Sequence, residues 1–183
     1  MAAFNFYLKD IMSENRPYFS ENGFGSFAGK AVNLLKTYLQ PVIEKSGFDS
    51  VNVLTCPDNW TPAMQDTDVI VYVLRDVGES VIAANGGTAA MAVADTNLLG
   101  LTDLNSKICE IYFDRMYAGN PKLVAGAAYH EAAHVKSNMD NAMHKNQDGF
   151  LKAAPDYYGS PSTKNTAFFK SHLARKVNMR SGL

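Results

Sequence analysis

Two histidines and a glutamate stand within five consecutive residues, His130, Glu131 and His134, in the order His-Glu-x-x-His. Residues four apart lie on the same face of a helix, so His130 and His134 could offer two imidazole nitrogens to one metal ion. Glu131 lies beside them, within reach of a proton on a water bound to that metal. Two nitrogen ligands, an open coordination position and an adjacent base are what zinc-assisted hydrolysis of an amide bond requires.

The residues before the motif favour a metal site over a chance match. Residues 123–129 are small or apolar and carry no charge. A helix that is apolar almost all round is usually buried. Two histidines and a glutamate in a buried helix are costly unless a partner satisfies them, and a metal ion would do so. The sequence therefore predicts one Zn²⁺ per chain, bound by His130 and His134, with Glu131 as the catalytic base.

A catalytic zinc usually has three protein ligands, so one more must be found. No glutamate follows Glu131 in the sequence, which excludes a glutamate from a later helix as the third ligand. The candidates that remain are aspartates and histidines after the motif, namely Asp140, His144, Asp148, Asp156 and His172.

The motif and the residues after it resemble the metzincin group of zinc peptidases, whose pattern is His-Glu-x-x-His-x-x-Gly-x-x-[His/Asp]. Asp140 stands at the last position of that pattern, six residues after His134, and an aspartate there is similar to the small bacterial peptidases of the snapalysin type. The resemblance implies a zincin-like fold, peptide-bond hydrolysis and Asp140 as the third zinc ligand. Asp156 and His144 are the alternatives for that ligand.

The chain departs from the metzincin pattern in two places. Ser137 replaces the glycine that lets the chain leave the helix sharply. Asn138 follows, and asparagine tolerates a left-handed backbone better than most residues, so the turn could shift by one position. The family also has a methionine turn below the metal, before its last helix. Met143 is the only methionine between Asp140 and the predicted last helix, and it is closer to Asp140 than is usual in the family.

The same resemblance suggests a role for two tyrosines. Several metzincins place a tyrosine after the metal-binding turn, where its phenol donates a hydrogen bond to the developing oxyanion. Tyr157 and Tyr158 follow the motif here, and each could have that role or could simply pack on its loop. With Glu131, these tyrosines complete the set of candidate catalytic residues.

Three helices are predicted from the spacing of apolar residues. Residues 28–46 have a helical period that includes Pro41, which is expected to kink or end the helix. The motif helix is predicted over 121–138, because Asn120 followed by proline is typical of a helix start. A last amphipathic helix is predicted over about 164–178.

The strands are predicted from β-branched and aromatic runs, at 51–54, 69–74, 89–94 and 107–113. Residues 1–27 are expected to be an irregular N-terminal extension of unknown role, with a possible short helix near 6–14. The predicted fold is α+β and zincin-like: a small twisted mixed sheet with an antiparallel edge strand, packed against the helices at 28–46 and 121–138. The 89–94 strand, if it is that edge, could pair with an extended substrate.

Composition excludes several classes of protein. The 183 residues suggest one domain, and a net charge of -1 gives no field toward nucleic acid or a membrane. There is no apolar run long enough to span a bilayer. The N-terminus lacks the basic start and apolar stretch of a Sec signal peptide, so a cytoplasmic location or export by a specialised route is expected. Cys56 and Cys109 are too few for a disulfide scaffold and are expected to be free buried thiols, with one disulfide between them as the alternative.

Taken together, the sequence predicts a zinc-dependent endopeptidase that acts on a peptide or protein, with Glu131 as general base. Another metal hydrolase is the first alternative. A peptide deformylase would need Cys109 in a glycine-containing loop, and a nuclease could use the basic residues of 164–180. The second alternative is a chain without catalysis, either a structural metal site with four ligands or a protein-interaction module.

Overall fold

The structure, a computed structural model, describes residues 2–10, 25–57, 63–84, 98–116 and 120–177. Within these ranges the chain forms one five-stranded sheet and four α-helices. The strands are β1 (Ala3–Asp10), β2 (Ser50–Pro57), β3 (Val69–Leu74), β4 (Gly100–Asp103) and β5 (Ile108–Tyr112). The helices are α1 (Gly25–Ile43), the short α2 (Val81–Ala84), α3 (Pro121–Ser137) and α4 (Thr163–His172).

The sheet is mixed, with the strand order β2-β1-β3-β5-β4. Strands β2, β1, β3 and β5 run parallel, and β4 pairs antiparallel with β5 at the edge. Parallel strands are usually covered on both faces and therefore consist of continuous apolar residues, and all six residues of β3 are buried. The predictions of an α+β fold and of an antiparallel edge strand are confirmed.

The main core lies between the sheet and the helices α1, α3 and α4. Because side chains alternate along a strand, β1 presents Phe4, Phe6 and Leu8 to these helices and Tyr7 to the opposite face. A smaller apolar cluster covers that second face, where Ile82 of α2 packs on the sheet. Burying a phenylalanine side chain contributes about 1.5–3 kcal/mol, so β1 is an important part of this core.

The prediction for the N-terminal residues was wrong. Residues 6–10 belong to β1, between β2 and β3, and not to a short helix. The strand is stabilised by pairing with residues 50–57 and 69–73, which are distant in sequence. In residues 3–10 some apolar positions alternate with polar ones and others are consecutive. The periodicity of so short a segment does not distinguish a strand from a helix.

The antiparallel edge strand is β4, at Gly100–Asp103, a strand that was not predicted from the sequence. Four residues that include a glycine give too short a pattern for a strand to be recognised. The strand predicted at 89–94 lies outside the described residues. The predicted C-terminal helix is shorter than expected: α4 ends at His172, and residues 173–177 continue as turn and irregular chain.

Helix α3, which carries the motif, begins and ends as its sequence indicates. The Asn120 side chain accepts a hydrogen bond from the backbone N–H of Lys122 (3.0 Å), and Pro121 occupies the first helical position. At the other end Asn138 has a left-handed backbone (φ 56°) and caps the helix, so it supplies the conformation that a glycine usually provides. Residues 123–137 of this helix are all buried.

The cysteines and the apolar content of the helices can also be compared with the sequence. Cys56 and Cys109 are both free and buried, as predicted. Among the described residues, no helix has both the length and the apolar content needed to cross a lipid bilayer.

Candidate metal centre

The motif side chains lie on the face of α3 that borders an open cleft. His130, Glu131 and His134 are each exposed by less than a tenth. The Nε2 atoms of His130 and His134 are 3.1 Å apart, as expected for two imidazoles one helical turn apart that point to the same place.

A third histidine completes the cluster. The chain after α3 turns back through a short 3-10 helix (Asn141–His144), which brings His144 to the motif. The His144 ring stacks on that of His130 at 5.1 Å and meets that of His134 edge-on at 4.9 Å. One nitrogen from each of His130, His134 and His144 lies within 4.8 Å of the other two, and the three could hold a metal ion.

Each of the three imidazoles is oriented by a backbone carbonyl. Nδ1 of His130 donates to the carbonyl of Phe150 (2.6 Å), and Nδ1 of His144 donates to that of Leu151 (2.9 Å). Nδ1 of His134 donates likewise, to the carbonyl of Met139 at 2.7 Å.

These bonds determine which nitrogen is free to bind a metal. A carbonyl oxygen can only accept, so Nδ1 carries the proton and Nε2 of each neutral ring presents its lone pair. Metal-binding histidines in proteins are oriented in this way. The donor set therefore fits a metal that accepts imidazole nitrogen, such as zinc.

The electrostatics of the site agree with this arrangement. Burial, with the neighbouring imidazoles His134 and His144, lowers the pKa of His130 from 6.5 to about 3. Burial lowers the pKa of His134 to about 4. Both rings are therefore neutral at pH 7 and can act as ligands. Two lone pairs at 3.1 Å repel each other unless a cation or proton lies between them.

The Glu131 carboxylate lies between the histidines and the edge strand. Its Oε2 accepts a hydrogen bond from the Thr102 hydroxyl at 2.7 Å. A Cβ atom on Gly100 would be only 2.9 Å from Glu131 Cγ and Oε1, so a glycine is needed at that point of β4. Burial raises the pKa of Glu131 to about 8, and the charges of Glu110 and Asp140 add to that effect, while the Thr102 hydrogen bond opposes it.

The cleft has a volume of about 680 Å³ and is lined by β4, by the motif residues and by residues 153–157. Among the described residues that line it, Glu131 and Asp140 are the only acidic ones, and none is a lysine or an arginine. Most of the other lining side chains are aliphatic: Leu98, Leu99, Leu101, Leu104, Ala153, Ala154 and Pro155.

The structure places the three candidates for the third ligand differently. Asp140 borders the cleft but is exposed, at the start of the 3-10 helix, and is not part of the three-residue group. His144 is part of that group. Asp156, the other alternative, is exposed, and its Oδ1 accepts a hydrogen bond from the backbone N–H of Tyr158 (3.1 Å).

The two candidate tyrosines are separated by the fold. Tyr157 is buried, lines the cleft and meets the His130 ring edge-on at 6.2 Å. A Cβ on Gly126, one turn before His130, would be 2.6 Å from Tyr157, so this glycine allows the tyrosine to lie against α3. Tyr158 is 61% exposed, does not line the cleft, and its carbonyl accepts a hydrogen bond from Lys122 Nζ (3.0 Å).

Several residues of the site were not singled out by the sequence. Thr102 and Gly100, which hold Glu131, belong to a strand that was not predicted. His144 was a candidate only by residue type, because its position ten residues after His134 is no recognised ligand spacing. The carbonyls that orient the histidines leave no trace in the sequence, since every residue has one.

A comparison with known protein families found no match for this chain, and a comparison with curated proteins found no detectably similar sequence. The inference of function therefore depends on the geometry of the cleft and of the three histidines.

Proposed function

We propose that the protein is a zinc-dependent endopeptidase that hydrolyses peptide bonds in an extended peptide or protein segment. The observation that carries the proposal is the position of Glu131 beside three convergent histidines. The histidine nitrogens and the Glu131 carboxylate meet at the wall of one open cleft, where a substrate could reach both. A base next to a metal with an open position is the arrangement that metal-assisted hydrolysis needs.

His130, His134 and His144 would hold the zinc ion. Three imidazole ligands are a known catalytic zinc set and leave a fourth position for water or substrate. When bound, the ion would lower the pKa of a water at that position and polarise the carbonyl of the scissile peptide.

Glu131 would act as the general base. It would accept the proton of the attacking water and deliver it to the leaving amine. Burial beside β4 keeps its pKa near neutrality before any metal binds, and a base works best when its pKa is close to the working pH. Thr102 holds the carboxylate in place through its hydroxyl.

Strand β4 would bind the substrate backbone. It lies at the edge of the sheet, it lines the cleft, and among the described strands only β5 pairs with it. An extended peptide can add to such an edge through main-chain hydrogen bonds. The aliphatic walls of the cleft suit apolar side chains next to the scissile bond.

The test is the zinc content and the casein hydrolysis of the wild type, His144→Ala and Asp140→Ala. The wild type is expected to bind one zinc per chain and to lose hydrolysis on chelation. His144→Ala should weaken zinc binding by more than the ~10–100-fold that follows loss of an outer-shell partner, because it removes a ligand. Asp140→Ala should bind zinc like the wild type. Normal zinc binding by His144→Ala, or no hydrolysis by the zinc-loaded wild type, would contradict the proposal.

A second test concerns the tyrosine that faces the cleft. Tyr157→Phe removes a hydroxyl that could stabilise the oxyanion, and loss of one such donor costs about 10²–10³-fold in kcat. Tyr158→Phe is the matched control, because Tyr158 is exposed away from the cleft, and it should keep wild-type activity. Equal activity of the two variants would remove Tyr157 from the mechanism and leave the metal and Glu131 in place.

A further inference from the structure

Two of the three histidines are held by one short turn. The carbonyls of Phe150 and Leu151, consecutive residues of the 3-10 helix Gly149–Leu151, accept the Nδ1 hydrogen bonds of His130 and His144. A shift of this turn would therefore rotate two of the three imidazoles at once. The geometry of the metal centre therefore depends on how firmly this turn is held.

Asn165 fixes the turn from behind. Its side chain is fully buried, although an asparagine is usually exposed. Its Oδ1 accepts a hydrogen bond from the backbone N–H of Phe150 (3.1 Å). Its Nδ2 donates to the Asp148 carbonyl (3.0 Å), to Asp148 Oδ1 (3.2 Å) and to Gln147 Oε1 (3.3 Å). The amide therefore bonds to the chain on both sides of Gly149.

Gly149 shows how close this approach is. Its φ is +48°, in the left-handed region, and a Cβ there would be 3.1 Å from Asn165 Oδ1. A side chain at Gly149 would strain the turn and press on the amide that holds it.

The helix that carries Asn165 is itself attached to the motif helix. Phe169 of α4 packs on Tyr129, the residue before His130, with ring centroids 4.9 Å apart. Phe150 packs edge-on against the same tyrosine at 5.9 Å. Helix α3, the turn and α4 are thus each in contact with the other two.

We infer that Asn165 is a positioning residue of the metal centre, which acts through the Gly149–Leu151 turn on His130 and His144. The inference depends on the metal centre of the proposed function but not on its reaction. The competing explanation is that Asn165 only caps α4, in a reciprocal pair with Ser162. A cap stabilises the helix but does not change the metal affinity of the folded protein.

The test measures Zn²⁺ dissociation constants by competition with a chelator, and the visible absorption of the Co²⁺-loaded protein. Asn165→Asp keeps the size of the side chain and removes its donors, and Gly149→Ala disturbs the turn without changing either residue of the Ser162–Asn165 cap. Each should raise the Zn²⁺ dissociation constant by about 10–100-fold, as loss of an outer-shell partner does, and should change the Co²⁺ bands. Val53→Ala, in the edge strand β2 on the opposite side of the sheet from β4, is the control for general destabilisation and should change neither.

Each outcome separates the explanations. Wild-type affinity and Co²⁺ spectra in both variants would overturn the inference, as would an equal loss of affinity in Val53→Ala. If Asn165→Asp does not fold, Gly149→Ala decides alone. A wild type that binds zinc but cleaves no peptide overturns the proposed function and leaves this inference standing, whereas a wild type that binds no metal overturns both.

Discussion

The molecule buries two glutamates, and their surroundings differ. Glu110 of β5 points to the sheet face that α2 covers. Its Oε1 accepts hydrogen bonds from the hydroxyls of Ser80 (2.5 Å) and Tyr112 (2.6 Å). Its Oε2 accepts from the backbone N–H groups of Val81 (3.1 Å) and Ile82 (3.3 Å). Four donors thus satisfy this carboxylate, and it binds the start of α2 to the sheet.

Glu131 lies on the other side, on α3. Among the described residues, its carboxylate receives a side-chain hydrogen bond from Thr102 alone, and it borders the cleft and the three histidines. The comparison shows that burial by itself does not identify a functional carboxylate. Glu110 is saturated with donors and has a structural role, whereas Glu131 has acceptor capacity left at a site that a substrate could enter.

The largest effects are expected when each carboxylate is removed in turn. Glu131→Ala should lower hydrolysis by about 10²–10⁴-fold, the usual contribution of a general base, and leave stability near that of the wild type. Glu110→Ala should lower the free energy of unfolding by about 3 kcal/mol or more, because each buried donor left without an acceptor costs about 1–3 kcal/mol. Urea unfolding and specific activity of the folded protein measure both.

Glu131→Gln is the isosteric control and should lose as much activity as the alanine variant while keeping zinc. If Glu110→Ala lost activity per folded molecule as strongly as Glu131→Ala, or if Glu131→Gln remained active, the assignment of roles would be wrong.

A smaller effect is expected when the donors are removed and the carboxylates are kept. Thr102→Val deletes the hydroxyl that holds Glu131 and should reduce kcat about tenfold, or about 1.4 kcal/mol, with little change in KM. Thr102→Ser retains the hydroxyl and should restore most of the rate. Tyr112→Phe removes one of four donors to Glu110, so it should lower stability by about 1–2 kcal/mol without affecting kcat. A Thr102→Ser rate as low as that of Thr102→Val would assign the effect to packing instead of the hydrogen bond.

The smallest effect is on the pH dependence of stability in the metal-free protein. The pKa values of His130 and His134 fall from 6.5 to about 3 and about 4, so the unfolded chain binds more protons than the folded one between about pH 4 and 6.5, and stability rises with pH there. The pKa of Glu131 rises from 4.5 to about 8, so its contribution falls across that interval. Above about pH 7 the histidines of the unfolded chain are mostly neutral, and Glu131 should lower stability by about 1 kcal/mol between pH 7 and 8. Lys136, whose pKa is lowered to about 8 by burial, acts in the opposite direction and reduces this decline.

Urea unfolding of the chelated protein between pH 4 and 8 tests this, and Glu131→Gln should abolish the decline between pH 7 and 8. An unchanged decline in that variant would mean that another group causes it.

The sequence alone determined the elements whose signals are local. The helical period, the Asn120 cap and the following proline defined α3 within a residue of its observed bounds. Because the spacing of side chains on a helix is fixed, His130 and His134 had to lie on one face once that helix formed, with Glu131 next to them. Short runs rich in β-branched and aromatic residues likewise identified β3 and β5.

Only the tertiary structure decided which distant residues meet these three. It brought His144 into the cluster while Asp140 stays exposed at the cleft, because the left-handed Asn138 and the 3-10 helix after it set the path of the chain. It also placed β1 inside the sheet and Thr102 beside Glu131. These contacts join residues ten or more positions apart, so they depend on the packing of the whole core and not on any repeating pattern in the chain.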